Sequence, residues 1–338
     1  MASVAEAPAS TKKNYLTALK EAMYEEMQRN PDLICMGEDI GLLGGAFGVT
    51  DGLQAQFGTH RVYDMPISEG AIVGVACGLA MNGKTAMVEM QFIDFISCGF
   101  DQIVNFTATY HYRTGGEVNI PMVIRGPAGG YSGGALYHSQ MNEAWFANSP
   151  GLKIVCPSTP RDAKGLLKSA LRDGNPVIFY EIKNLYRLND IAEELPEGED
   201  ALIPLGKART AREGKDITIV TYGQNVYHCL QAADNLAKEG YSAEVIDIRT
   251  LVPLDEEHIA ASIRKTNRLL VVNEAPKTCG FAGELVSRFT QSCFEHLDAP
   301  PSRITRMDTP VPWVQPLELY VLPSVNQITE EALRLCRY

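Results

Sequence analysis

Pro66-Ile67-Ser68-Glu69-Gly70-Ala71-Ile72-Val73-Gly74, residues 66–74, opens a run of small and apolar residues that reads as a helix from Glu69 to Asn82. Thr85–Met90 follows as a strand. The same alternation continues on both sides. Upstream, Leu16, Leu19, Ala22, Met23 and Met27 fall at helical spacing within residues 14–29, and Leu33–Met36 is a short apolar strand. Downstream, the pattern predicts a long helix over Phe95–Tyr112 ended by Gly115-Gly116, then strands at Ile120–Ile124 and Lys153–Cys156. A helix over Pro160–Arg172 and a strand at Val177–Tyr180 complete this part. Strands alternating with helices imply an α/β fold whose largely parallel sheet is covered on both faces.

Residues 189–203 are acidic and carry Pro196 and Gly198, which reads as a linker. Beyond it the alternation restarts. Strands at Ile217–Thr221, Ala243–Asp247 and Leu269–Asn273 are separated by helices over Val226–Glu239 and Asp255–Lys265, and a further helix spans Gly283–Cys293. The expected organisation is a disordered tail over 1–12, a first domain over 13–188, the linker, and a compact βαβαβ domain over 204–338.

A chain of 338 residues, 45% of them hydrophobic, fits two ordinary globular domains. No apolar run reaches the roughly 18–20 residues that span a bilayer, so no membrane role is expected. Met1–Lys12 is Ala- and Ser-rich without an apolar core, unlike a signal peptide. The net charge of −11 argues against nucleic acid as a partner. Eight scattered cysteines without a Cys-x-x-Cys pair read as buried, reduced thiols of a cytoplasmic protein.

Glu69 follows Ser68, an ordinary N-cap residue, and a carboxylate in the first helical turn meets the helix dipole favourably. Capping is therefore its simplest reading. The functional one is a carboxylic acid, its pKa raised by apolar surroundings, that exchanges a proton with a ligand. The five-glycine loop Gly126–Ala135 follows a buried strand and runs into Tyr137-His138-Ser139-Gln140. Ligands of α/β sheets bind at such loops, although this one lacks the Rossmann and Walker spacings. His138 is the general acid/base candidate. Arg172-Asp173-Gly174-Asn175-Pro176 reads as a turn or, alternatively, as oxygen ligands for a hard cation. Glu38 ends the first strand, while Gln91, Asp94 and Phe95 follow another; for these, turn and site roles both stay open.

Taken together, the segments resemble the beta subunit of the thiamine-diphosphate-dependent 2-oxo acid dehydrogenases. The resemblance rests on Gly37-Glu38-Asp39, Gly44-Gly45-Ala46-Phe47, Pro66–Glu69, Glu89–Phe95, Arg125-Gly126-Pro127, His138-Ser139-Gln140 and Arg172–Pro176. Arg249–Asp255 and Asp308–Pro312 extend it, so the ordered set covers residues 14–335. It implies a transketolase-like architecture with a pyrimidine-binding domain followed by a transketolase C-terminal domain.

Residue by residue, Glu69 matches the glutamate that hydrogen-bonds the cofactor's aminopyrimidine nitrogen. Phe95 matches an aromatic that packs on that ring, and Gln91 a cofactor-proximal glutamine of branched-chain members. Glu38 matches an acid proposed to relay protons between two active sites, and His138 a histidine that assists acyl transfer to a lipoyl disulfide. Met122, Ala170, Asp173 and Asn175 match positions that bind potassium in some members. The family holds the diphosphate through Mg²⁺ with Gly-Asp-Gly followed by Asn, and this chain contains no Gly-Asp-Gly. The resemblance thus implies an alpha subunit that holds the Mg²⁺, an α₂β₂ heterotetramer, and a lipoyl acyltransferase core as further partner. Pyruvate is the expected substrate, with branched-chain 2-oxo acids and acetoin as alternatives. Two rivals are a non-catalytic assembly subunit and a self-contained sugar-transferring thiamine enzyme.

Overall fold

The structure, a computed structural model, describes residues 11–196 and 201–338. Most of the expected tail, and residues 197–200 of the expected linker, lie outside the described residues. The first helix, Tyr15–Arg29, starts where Asn14 accepts a hydrogen bond from the Thr17 amide, and it buries Leu19, Met23 and Met27. It lies against the helix Pro160–Leu171, and Lys164 and Lys168 bridge back to Glu25 at 2.7 and 2.6 Å.

Among the described residues the first sheet has seven strands. In chain order they are β1 (Leu33–Gly37), β2 (Val62–Asp64), β3 (Thr85–Glu89), β4 (Met122–Ala128), β5 (Lys153–Val155) and β6 (Val177–Ile182), joined by one strand from much later in the chain. β1 to β6 pair in parallel throughout, as alternating helices and strands require. β4 and β6 are buried at every position, which is why they read as continuous apolar runs.

The second sheet comprises β7 (Arg209–Arg212), β8 (Ile217–Thr221), β9 (Ala243–Asp247), β11 (Leu269–Pro276) and β12 (Ser302–Arg306). β8, β9 and β11 form the expected parallel core, β12 extends it in parallel, and β7 adds an antiparallel edge. The missing strand, β10 (Thr250–Val252), departs from the expected compact second domain. It pairs antiparallel with β5 and completes the first sheet. Arg249 fixes this crossing: its guanidinium donates to Asp162 at 2.7 Å and to the Lys207 carbonyl at 2.8 Å.

Two further expectations are modified. The described part of the linker is not a free spacer. Glu193 bridges Lys13 through the backbone, its carboxylate accepts from the Arg161 amide, and Ala201 is buried. The segment expected as one long helix over Phe95–Tyr112 is helical but changes pitch, from 3₁₀ at Ile93–Gly99 to π at Gln102–Thr107 to α at Ala108–Arg113. The Thr107 hydroxyl donates to the Gln102 carbonyl five residues back, a side-chain bond that suits the wider turn. Of the cysteines, five are buried as expected, whereas Cys98 and Cys279 are exposed; none is in a disulfide.

Candidate active site

The parallel strands of the first sheet deliver their C-terminal ends to one edge, where α/β folds bind ligands. Glu38 leaves β1, Gln91 and Phe92 leave β3, the glycine-rich loop leaves β4 and Lys183 leaves β6. Glu69 begins the helix Glu69–Met81 beyond β2. Ser68 is its N-cap but makes no side-chain cap bond, and Glu69 lies in the first turn, where the helix dipole favours a carboxylate, so the capping reading holds for Glu69 and not for the Ser68 hydroxyl. The helix packs closely against the 3₁₀ turn Ile93–Gly99: a Cβ at Gly99 would sit 3.1 Å from Val73 Cγ2 and 3.3 Å from the Glu69 carbonyl.

Glu38 is buried and one of its oxygens has no partner. Burial pushes its carboxyl up, and the charges of Glu69, Asp39 and Glu89 push it further. The charge of Glu69 thus reaches Glu38. A second group is aromatic. His138 stands edge-on to Phe92, with centroids 4.5 Å apart, and to Phe95 at 5.9 Å, while Tyr137 stacks on Phe95. Phe47 closes the row against Phe92 and Tyr186. An open cleft of about 520 Å³ follows this row, with His138, Phe92, Phe47, Lys183 and Arg187 among its walls. A larger groove of about 850 Å³ lies between Trp145 and Phe281, but its charged residues Arg288, Glu256 and Glu284 pair with one another, so volume does not mark the site.

Beneath the aromatic row runs a buried charge network. Arg125 pairs with Glu89 and Glu181, and Tyr186 donates to Glu181 at 2.6 Å. Glu89 also explains Gly45: at φ +78°, a Cβ would come within 2.9 Å of a Glu89 oxygen. Asp94 accepts from the Ser139 and Gln140 amides at 3.1 and 2.9 Å, which anchors the chain next to His138. Burial raises its carboxyl, against those two amides and the charge of Lys183.

Not all of the expected residues converge. Gln91 lies half-buried at the same edge. Met122, in contrast, is the first residue of β4, at the opposite end of the strand from the site loop. Seven residues at about 3.3 Å each put roughly 20 Å between the two ends. Ala170, Asp173 and Asn175 lie near that far end, before β6. One Asp173 oxygen accepts from the Asn175 amide and the other is paired with Lys153.

The family model described as "Transketolase, pyrimidine binding domain" matches residues 11–189, and "Transketolase, C-terminal domain" matches residues 206–328. The 2-oxoisovalerate dehydrogenase subunit beta of Bacillus subtilis is 46% identical over 95% of this chain and 97% of its own length. The chain belongs to the beta subunits of the 2-oxo acid dehydrogenases. The acetoin:2,6-dichlorophenolindophenol oxidoreductase subunit beta of Cupriavidus necator is 45% identical, with 93% and 95% covered. The mitochondrial pyruvate dehydrogenase E1 component subunit beta-1 of Arabidopsis thaliana is 42% identical, with 94% and 88% covered. The fold is that of transketolase: a solved split-gene transketolase, an inactive beta4 tetramer, superposes with TM-score 0.74 at 22% identity, over 96% of this chain and 98% of that one.

In this beta subunit the motif residues Glu38, Glu69, Phe95 and His138 share one edge, and the supporting charges escaped the sequence reading. Arg125 and Glu181 carried a usable signal, because a charge inside an otherwise apolar strand needs a buried partner. Glu274 and Glu318, from the second domain, carried none.

Proposed function

We propose that the chain acts in oxidative decarboxylation of a 2-oxo acid and transfer of the acyl group to a lipoyl disulfide, as one half of a site completed by an alpha subunit. The convergence of Glu69, Glu38 with an unpartnered buried oxygen, and the Phe95–His138 ledge at one sheet edge carries this reading. The residues fit the aminopyrimidine of thiamine diphosphate: a carboxyl for a ring nitrogen and an aromatic face to pack on it. When bound, that cofactor supplies the electron sink that decarboxylation needs.

Glu69 then holds a proton at the ring nitrogen. Glu38, its carboxyl raised by burial and by Glu69, is suited to carry a proton beside it. Phe95 and Gln91 orient the ring. His138, in the wall of the cleft, then donates a proton to a lipoyl sulfur. The diphosphate and its Mg²⁺ fall to an alpha subunit with Gly-Asp-Gly, in an α₂β₂ assembly that meets a lipoyl acyltransferase core. A potassium ion would be held near Asp173, whose oxygens already take the Asn175 amide and Lys153, largely by backbone carbonyls, and no step depends on it.

Pyruvate is our proposed substrate. The 46% identity to a 2-oxoisovalerate dehydrogenase subunit supports branched-chain 2-oxo acids as a second reading. The test is a panel of pyruvate, branched-chain 2-oxo acids and acetoin on the chain co-expressed with its alpha partner, beside Glu69→Ala. Loss of turnover in the variant supports the reading. Unchanged turnover would make the chain an assembly subunit.

A further inference from the structure

The loop that carries His138 contains Gly129, Gly130, Gly133 and Gly134, and such a sequence does not hold one conformation by itself. It is held from outside. Glu318, fully buried in the short helix Gln315–Val321, accepts from the Ser132 amide at 3.2 Å and the Gly133 amide at 2.9 Å. Glu274, buried near the end of β11, accepts from the Gly130 amide. On the far side of His138, Asp94 takes the Ser139 and Gln140 amides, and Arg306 donates to the Gln140 side chain at 3.2 Å. Three carboxyl groups thus converge on one loop in a dry place, and wherever they ionise they need a counter-charge. Two buried cations face them: Lys183, whose ammonium makes no hydrogen bond and is set against Glu274, Asp94 and Glu318, and Arg306, set against Glu274 and Asp94.

We propose that Glu274 and Glu318 are positioning residues which clamp the loop so that His138 stays on the Phe92–Phe95 ledge, with Lys183 and Arg306 as the buried cations beside them. The clamp reaches from the second domain into the site of the first. Its consequence for acyl transfer rests on the function proposed above; the clamp itself does not.

The direct test is amide hydrogen exchange on the full chain. Glu318→Gln removes the charge, and the Ser132 and Gly133 amides are expected to exchange about tenfold faster or more, while β4 and β11 keep their protection. Lys183→Met is expected to speed the Gly130, Ser132 and Gly133 amides, and Lys183→Arg to restore them. The double variant E318Q/K183M is expected to exchange more slowly than the product of the single effects, because each change relieves the charge left by the other. Unchanged loop exchange, or multiplicative effects, would overturn the clamp.

In the complex with the alpha partner, E318Q is expected to lower acyl transfer to a lipoyl domain several-fold more than dye-linked decarboxylation. Displacements of about 1 Å cost on the order of a hundredfold in rate. An equal loss in both assays would overturn the positioning of His138. Absence of both activities in the wild type would refute the functional reading and leave the exchange result to decide the clamp.

Discussion

Glu69 sits where a helix-capping acid would sit, although the Ser68 hydroxyl beside it makes no cap bond, and its charge raises a second carboxyl, that of buried Glu38. A buried carboxyl raised by a neighbouring acid suits a place where a proton is handled. Glu69→Gln is therefore expected to lower 2-oxo acid decarboxylation by about 10²–10⁴-fold in the reconstituted enzyme, with the melting temperature nearly unchanged. Glu274 offers a pH test. Burial raises its carboxyl from the ordinary 4.5 to about 7. The folded chain keeps this proton where the unfolded chain has lost it. The group thus favours the fold below about pH 4.5, and that contribution disappears as the pH rises through about 7. Melting curves between pH 5 and 8 should show a shallower loss of stability in Glu274→Gln than in the wild type; identical slopes would be against it. Glu69, Glu38, Phe95 and His138 were legible because they belong to local motifs. Glu318 was not, because the loop amides that it binds lie 185 and 186 residues away and no periodicity links them.

The alternation of strands and helices was legible because each element obeys its own period, and buried parallel strands announce themselves as apolar runs. The pitch change between Ile93 and Arg113 was not, since it depends on tertiary contacts at Gly99 and on the Thr107 side-chain bond. Gly99 is the tight point, as a methyl there meets Val73 and the Glu69 carbonyl. Gly99→Ala should cost about 1–3 kcal/mol by urea unfolding. It should also reduce turnover at temperatures where the variant is fully folded, because the added methyl presses on the Glu69 carbonyl and on Val73 of the same helix. Full activity in a destabilised variant would separate the contact from the site.

The two sheets are not independent, because β10 crosses from the second half of the chain into the first sheet. A three-residue strand with no alternating pattern gives no sequence signal, so the expected separation of the domains was too clean. Arg249 ties the crossing to Asp162. Removing it leaves a buried carboxylate with only Arg209, at 3.4 Å. Arg249→Ala should destabilise the chain by about 3 kcal/mol, and calorimetry should show both halves weakened together and not one transition displaced. The missing Gly-Asp-Gly belongs to this scale as well: the site edge offers a carboxyl and an aromatic ledge but no diphosphate clamp. The most direct measurement is thiamine diphosphate binding and 2-oxo acid turnover by the purified chain, alone and mixed with an alpha subunit that carries Gly-Asp-Gly and its Asn. Tight binding and turnover are expected only in the mixture, and robust turnover by the chain alone would contradict the half-site.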